Sequence, residues 1–308
     1  MDETAEICTV NKGIELMLLA CQAEGVKAGT VKWYRHRLAR FSRMYGDRDV
    51  RSITLDDVRA YMVAIRALEF AAYSEFSLVR EVRHLFKWLY EERRIDEPLY
   101  KRIKSPKLPQ LPPKAVELGD VRALLKVCGA SPSGKRDRAI VLFLLDTGCR
   151  VGGLCRLRVR DLDLKGGKCE VVEKGEKART VLFVEETAHA VRAWLRARPF
   201  PGSECVFTSI RDGRPMCDST VNQMLRRLKK RAGVEGRVNP HAFRHAFARE
   251  FILSGGDIGT VSQILGHTQI SVTKQFYAMF STGELKGEHD RFSPVFRLNG
   301  GGPGRRRR

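Results

Sequence analysis

Paired cysteines, long apolar runs and an excess of acidic residues are all missing from this chain. Its eight cysteines in 308 residues include no pair at Cys-x-x-Cys spacing, since they lie at positions 8, 21, 128, 149, 155, 169, 205 and 217. Structural zinc sites use such pairs, and disulfide frameworks belong to short cysteine-rich chains rather than to scattered cysteines, so the sequence indicates neither. We therefore expect the cysteines to be small buried residues in a reducing compartment.

The chain also lacks the segments that direct proteins to membranes. No apolar run approaches the roughly 18 residues of a membrane-spanning helix. The start Met1-Asp2-Glu3 lacks the positive charge of a signal peptide. These absences predict a cytoplasmic protein with no membrane partner.

Acidic residues become scarce after the first hundred positions. Residues 1–100 hold 16 Lys and Arg against 16 Asp and Glu, whereas residues 101–308 hold 40 against 20. The resulting net charge of +20 favours a polyanionic partner, of which nucleic acid is the leading candidate. The arginines at 305–308 follow a glycine-rich run and fit either a DNA-contacting arm or a solvated tail.

A proline-rich segment separates two domains in the sequence. Residues 104–114 contain four prolines, so they are predicted to form an extended linker rather than a helix. We expect an all-helical domain over residues 1–103, a second domain over 115–298 and a flexible tail over 299–308.

The spacing of apolar residues predicts the elements of both domains. In the first, we expect helices over 30–45 and 77–92, a capped helix start near 52–57, and core residues at 78, 82, 85, 86 and 89. In the second, we expect helices over 118–128 and 136–146, a hairpin of strands 169–173 and 179–184, and mostly helix from 186 onward.

Six residues of the second domain suggest chemistry on a phosphodiester. A tyrosine hydroxyl is a weak nucleophile at neutral pH unless a base activates it, and the phosphorane that forms needs rigid cationic donors. The chain supplies both kinds of group in the order Arg150, Lys174, His241, Arg244, His267 and Tyr277.

Local signals indicate how these residues are held. Asn239-Pro240 is a helix start, which places His241 and Arg244 on one face open to a phosphate. A helix over 257–265 is expected to end at Gly266, so that His267 lies in a tight turn. Tyr277 falls about 100° from the apolar stripe of the next helix. We expect two apolar stripes to be buried: Phe243, Phe247 and Phe251, and Val272, Phe276 and Met279.

Taken together, these motifs resemble those of the tyrosine recombinase family, also called the phage integrase family. They are Thr147-Gly148-Cys149-Arg150, His241-x-x-Arg244, Leu265-Gly266-His267 and Tyr277. The resemblance implies a mainly α-helical protein, with a helical core-binding domain and a mostly helical catalytic domain that contains a small antiparallel β-sheet. It also implies a clamp around double-stranded DNA and an association with the nucleoid.

The resemblance implies a role for each residue. Tyr277 would attack the scissile phosphate, leaving a 3′-phosphotyrosine and a free 5′-hydroxyl. Arg150 and Arg244 would hold the non-bridging oxygens. Lys174, with Lys177 as the fallback, would protonate the leaving oxygen.

Both histidines would act on the same phosphate, His241 as base toward the tyrosine and His267 as donor. The resemblance implies that neither ATP nor a metal is required. It further implies a tetrameric synapse on specific recombination sites, with an accessory DNA-bending or directionality factor as a further possible partner.

One position departs from the family pattern. Members usually carry an acidic residue three positions after the first arginine, where this chain has Gly153. Either Asp146 or Asp161 compensates in space, or Arg150 is less firmly oriented.

Two other functions fit parts of the sequence. Residues 257–280, a helix, a Gly-His turn and a second helix, also resemble a DNA-binding helix-turn-helix, as in a non-catalytic regulator. A type IB topoisomerase would use similar chemistry for DNA relaxation.

Overall fold

The protein consists of two compact units, Met1–Leu111 and Pro112–Arg308, and their division falls inside the proline-rich segment. The computed structural model describes residues 8–108, 114–172 and 178–266. Each unit is built around its own buried apolar cluster. None of the helices in these ranges has the length and apolar character needed to cross a bilayer.

The described part of the first unit is helical. The capped start predicted near 52–57 is confirmed, because Thr54 and Asp57 form a capping box. The predicted core positions Leu78, Val82, Leu85, Phe86 and Leu89 are all buried. The helices are α1 Val10–Ala23, α2 Ala28–Tyr45, α3 Leu55–Arg66, α4 Ala72–Glu91 and α5 Leu99–Arg102, with a 3-10 turn at Val50–Ser52.

Helix α4 begins five residues before its predicted start. Its first turn, Ala72 to Phe76, is exposed or half-buried, so it adds nothing to the apolar stripe from which the helix was predicted. Apolar spacing therefore located the buried part of this helix and missed the exposed turn.

The second unit combines helices with one small sheet. The three described strands are antiparallel in the order β1-β2-β3, and Val171 pairs with Arg179. The sequence predicted the hairpin β2–β3 but not the two-residue β1, and the predicted fold class is confirmed. The elements are α6 Leu118–Lys126, α7 Pro132–Thr147, α8 Val151–Arg156, a 3-10 turn Val159–Asp161, β1 Leu162–Asp163, β2 Lys168–Val172, β3 Ala178–Leu182, α9 Glu185–Ala197, α10 Asp218–Arg231, α11 Pro240–Leu253 and α12 Ile258–Leu265.

Helix α7 is the central element of this unit. It begins four residues before the prediction, because Ser131 caps it and Pro132 occupies the first turn. Its Phe143 lies in the same core as Trp194 and Phe243. Because α7 is buried nearly all round, the segments at its end are held on a rigid base.

Six cysteines are buried, as expected, but two are not. Cys205 is half-buried and Cys217 is exposed. Cys217 is the N-cap residue of α10, where its backbone N–H bonds to the Thr220 hydroxyl over 2.9 Å. The expectation of eight buried cysteines was wrong here because a small side chain at a helix start serves the cap rather than the core.

Candidate active site

Arg150 lies in a tightly folded turn between α7 and α8. Gly148 ends α7 in the left-handed conformation, with φ of 56°. The Thr147 hydroxyl donates to the Phe143 carbonyl over 2.7 Å and accepts from the Cys149 N–H over 3.2 Å. Arg150 follows as the N-cap residue of α8 and is half-buried. The turn thus fixes the backbone from which the Arg150 side chain extends.

Gly148 is needed for close packing as well as for its conformation. A Cβ atom at this position would lie 2.7 Å from Leu265 Cδ2 and 2.8 Å from Phe247 Cδ1. Without a side chain, the turn can approach both the end of α12 and the middle of α11. Gly148 therefore allows the turn of Arg150 to meet both α11 and α12.

Arg244 is buried where these segments meet. Its Nη1 donates to the Gly148 carbonyl over 2.8 Å, and its Nη2 donates to the Leu265 carbonyl over 2.7 Å. Asn239 caps α11 as predicted, with its side chain accepting from Ala242 N over 2.8 Å. One guanidinium thus joins the turn of Arg150 to the helix end that precedes His267.

The prediction that His241 and Arg244 share an open face is right for His241 and wrong for Arg244. His241 is exposed, whereas Arg244 is only 6% exposed. A planar guanidinium has five donors in a fixed fork. It can therefore donate to two carbonyl groups that would otherwise be buried at helix ends without a hydrogen-bond partner.

The predicted phenylalanine stripe is buried only in part. Phe243 is fully buried in the main core, but Phe247 and Phe251 are half-buried. They pack with Val261 and Leu265 in a small separate cluster between α11 and α12.

The imidazole of His241 lies in a positive environment. Although the residue as a whole is exposed, partial desolvation of the ring is the largest cause that lowers its pKa, followed by the charges of Arg244, Arg150 and Arg237. One turn later, burial is again the main cause that lowers the pKa of His245, here to about 4, and His241 and Arg244 add to it. A neutral imidazole at physiological pH can accept a proton, as a general base must.

The stems of the β2–β3 hairpin are tied to two of these segments. Arg156, at the end of α8, donates through Nη2 to the Val172 carbonyl over 2.7 Å. Arg179, on β3, donates through Nη1 to the Ile264 carbonyl of α12. The predicted tip residue Lys174 and its fallback Lys177 lie outside the described residues.

The prediction that α12 ends at Gly266 is confirmed. This glycine ends α12 in the left-handed conformation, with φ of 66°. His267, Tyr277 and the stripe of Val272, Phe276 and Met279 lie outside the described residues. Of the six predicted site residues, the structure thus places Arg150, His241 and Arg244.

Gly153 stands where members of the family usually carry an acidic residue. It lies buried in α8, and its N–H bonds to the Arg150 carbonyl over 2.9 Å. Of the two acidic residues considered as substitutes, Asp146 accepts from the Val184 N–H over 2.8 Å, and Asp161 lies 3.7 Å from Arg160. The Asp146 carboxylate thus fastens the start of α9, just after the hairpin, to α7.

Comparison with known proteins identifies the family. The model of the phage integrase family matches residues 114–282. The tyrosine recombinase XerC of Xanthomonas campestris pv. campestris is 30% identical over 272 residues, covering 87% of this chain and 84% of the relative. The tyrosine recombinase XerA of Thermococcus kodakarensis is 32% identical over 295 residues, covering 94% and 98%. The chain belongs to the phage integrase family of tyrosine recombinases.

The fold of this tyrosine recombinase agrees with solved structures. A lambda integrase, solved as a tetramer bound to a Holliday junction, superposes with a TM-score of 0.73 at 18% identity, covering 88% of this chain and 78% of the integrase. The sequence prediction of a site-specific tyrosine recombinase, an enzyme that exchanges DNA strands, is confirmed. The regulator and topoisomerase alternatives are not supported.

Sequence reasoning missed three arginines of this recombinase that the structure connects to the site. Arg179 carried a readable signal, because it stands two residues before the buried Val181 and so occupies an inward position of β3. Arg156 and Arg237 carried no such signal, since both are exposed residues among many other basic ones.

Proposed function

We propose that this recombinase cuts one DNA strand at a time through a tyrosine ester. The Tyr277 oxygen forms a bond to the scissile phosphorus while the bond from phosphorus to the 5′ oxygen breaks. His241 takes the tyrosine proton, and Lys174 gives a proton to the leaving 5′ oxygen. A 5′-hydroxyl from the partner strand then attacks the same phosphorus and releases the tyrosine.

The observation that carries this proposal is the double hydrogen bond of Arg244. Its guanidinium contacts the carbonyl of Gly148, two residues before Arg150, and that of Leu265, two residues before His267. His241 lies one turn before Arg244 on α11, with its pKa lowered by partial burial of the ring and then by the charges of both arginines. Three of the six proposed catalytic residues, Arg150, His241 and Arg244, thus lie on segments that meet at this one side chain.

The proposed DNA partner is supported by charge and by a surface of the first unit. Two guanidinium groups lie over aromatic rings here: Arg80 of α4 lies 5.2 Å from the centre of Trp33 on α2, and Arg40 of α2 lies 4.8 Å from that of Phe70, just before α4. Arginines held by rings are ordered before DNA arrives, so less entropy is lost on binding phosphates. We propose that residues 1–103 form the core-binding domain and residues 115–298 the catalytic domain.

We further propose that four copies assemble on two recombination sites at the nucleoid in the cytoplasm. The apolar segment 292–298, which lies outside the described residues, has the composition to dock on a neighbouring copy. A truncation that ends before Phe292 should reduce synaptic complexes in a gel-shift assay. A truncation that removes only 299–308 is the matched control, and unchanged complexes with the longer truncation would contradict the assembly proposal.

The chemistry can be tested with a library of DNA half-sites that are nicked near the cleavage position, so that cleaved strands are trapped. A covalent protein adduct on the 3′ phosphate is expected on denaturing gels, and sequencing the trapped strands identifies the site. The adduct should disappear in Tyr277→Phe and persist in Tyr90→Phe, a control on α4. Selective DNA binding without any adduct, or an adduct that survives Tyr277→Phe, would contradict the proposal.

A further inference from the structure

A cleft of about 600 Å³ lies between the start of α7 and the end of α10. Four arginines line it, and we call it the arginine cleft: Arg136, Arg211, Arg227 and Arg231. Among the described residues that line it, Asp137 is the one acidic residue. Four arginines against one aspartate leave an excess of positive charge, which favours an anion.

A buried ion pair forms part of the arginine cleft. The side chains of Arg136 and Asp137 are only 8% and 3% exposed. Arg136 donates through Nη2 and Nε to Asp137 Oδ1, over 2.8 and 3.1 Å, and Arg227 donates through Nη2 to Asp137 Oδ2 over 2.7 Å. One carboxylate thus holds two guanidinium groups, so one positive charge of this trio remains for a ligand in the cleft.

Two arginines of α10 are oriented by the protein and keep donors for a ligand. Arg231 donates through Nη2 to the Val127 carbonyl over 2.8 Å, and Arg227 is held by its bond to Asp137. A guanidinium has five N–H donors, so each of these side chains retains several after its bond to the protein. Arginines held in this way lose less entropy when they bind, and their fork matches the oxygens of a phosphate group.

The start of α7 supplies donors of a different kind. The cap residue Ser131 and its neighbour Ser133 line the arginine cleft, with their hydroxyl oxygens 3.0 Å apart. The N-terminus of a helix of 16 residues also carries partial positive charge, which favours an anion. Hydroxyl and guanidinium donors thus surround the same cavity.

The arginine cleft lies one helix length from the candidate active site. Helix α7 begins at the cleft and ends at Thr147, three residues before Arg150. With a rise of about 1.5 Å per residue, its 16 residues span about 24 Å. Phosphates follow one another about every 3.4 Å along one strand of B-DNA, so this distance corresponds to about seven phosphates.

We infer that the arginine cleft binds a phosphate group, supplied either by the DNA backbone about seven phosphates from the cleaved bond or by a free phosphate compound. The DNA source rests on the proposed function, in which a duplex passes the candidate active site. Contacts to the backbone do not read bases, so this contact positions the duplex and adds affinity whatever the sequence.

The test measures binding alone, so it does not depend on cleavage. In the double variant Arg211→Gln/Arg231→Gln, both changed residues are exposed, and the buried ion pair of the cleft stays intact. The matched control Arg122→Gln/Arg196→Gln removes the same charge from exposed positions on α6 and α9. Circular dichroism in urea checks that both proteins are folded.

The first experiment follows the fluorescence anisotropy of a labelled duplex of mixed sequence, about 30 base pairs long, from about 50 to 200 mM salt. The cleft variant should bind about 5- to 30-fold more weakly than wild type at about 100 mM salt, because charged hydrogen bonds to a phosphate are lost. The slope of log Kd against log salt should fall by about 1 for one lost phosphate contact. The control should stay within about threefold of wild type and keep its slope.

The second experiment identifies the source of the phosphate. Isothermal titration calorimetry measures the binding of inorganic pyrophosphate to the protein without DNA. If the cleft variant loses pyrophosphate binding but keeps its DNA affinity, the ligand is a free phosphate compound. If it loses DNA affinity as described, the ligand is the DNA backbone.

A cleft variant that matches the control in both experiments would overturn the inference. Arg211→Lys/Arg231→Lys is a further check, because lysine keeps the charge and loses the planar fork. It should recover the salt slope and part of the affinity, and a lysine variant as weak as the glutamine variant would contradict the inference. Absence of a covalent adduct in the wild type would instead contradict the proposed function, while both binding results would stand.

Discussion

The guanidinium of Arg244 and the carbonyl oxygen of Gly148 are joined by a 2.8 Å hydrogen bond, although they are 96 residues apart in the chain. This bond and its companion to Leu265 place a buried cation where two helices end. An arginine in this position stabilises the fold and also fixes the geometry of the site. The two contributions can be separated by experiment.

We expect Arg244→Gln to lower the free energy of unfolding by about 2–4 kcal/mol, because two buried carbonyls lose charged donors. Urea denaturation followed by circular dichroism measures this loss. Arg237→Gln is the control, because Arg237 is exposed and should change stability by no more than about 0.5 kcal/mol. Equal effects of the two variants would show that the Arg244 bonds do not stabilise the fold.

Replacement of Gly148 by alanine tests whether close approach, rather than backbone conformation alone, requires a glycine. Gly148 and Gly233 both have positive φ, 56° and 63°, but a Cβ at Gly233 would meet nothing within 4 Å. Gly233→Ala should therefore cost only about 1 kcal/mol of backbone strain, whereas Gly148→Ala should cost about 1–3 kcal/mol more from overpacking. Urea denaturation of both variants gives the difference, and equal losses would contradict a packing role for Gly148.

Much of the local structure was readable from the sequence, because the signals are short. The Asn239 cap, the Thr54-Asp57 capping box and the glycine end of α12 each depend on residues within four positions of one another. Three motif segments of the site could be identified in the same way, since each motif is itself a short stretch of chain.

What the sequence did not reveal depends on contacts between distant segments. The acceptors of Arg244 lie 96 and 21 residues away, and the acceptor of Arg179 lies 85 residues away. Helical spacing alone put Arg244 on an open face, because nothing near it in the sequence shows that two helix ends meet over it. The hydrogen bonds of Arg156 to Val172 and of Arg179 to Ile264 likewise follow only from how the hairpin packs.

The stability of the protein should fall in weak acid because of His245. Its pKa is lowered from 6.5 to about 4 in the folded state, mainly by burial. Between these values the unfolded chain binds more protons, so folding becomes less favourable as the pH falls from about 6.5 to 4. We expect His245→Gln to remove on the order of 2 kcal/mol of this decline, allowing for the partial exposure of the ring. Urea titrations across the window measure it, and parallel pH profiles of wild type and variant would contradict the assignment.

Cys217 should be the cysteine that thiol reagents modify first. Its side chain is exposed at the start of α10, and its pKa is lowered to about 7, mainly by a hydrogen bond from Ser219 and also by bonds from Thr220. Burial instead raises the pKa of Cys155 and Cys169 to about 12. Because the thiolate is the reactive form, brief treatment with iodoacetamide at pH 7 should label Cys217 ahead of the buried cysteines, as read by peptide mass spectrometry. Ser219→Ala should slow this labelling, since the first bond that stabilises the thiolate is lost, and faster labelling of Cys155 or Cys169 would contradict the burial on which the prediction depends.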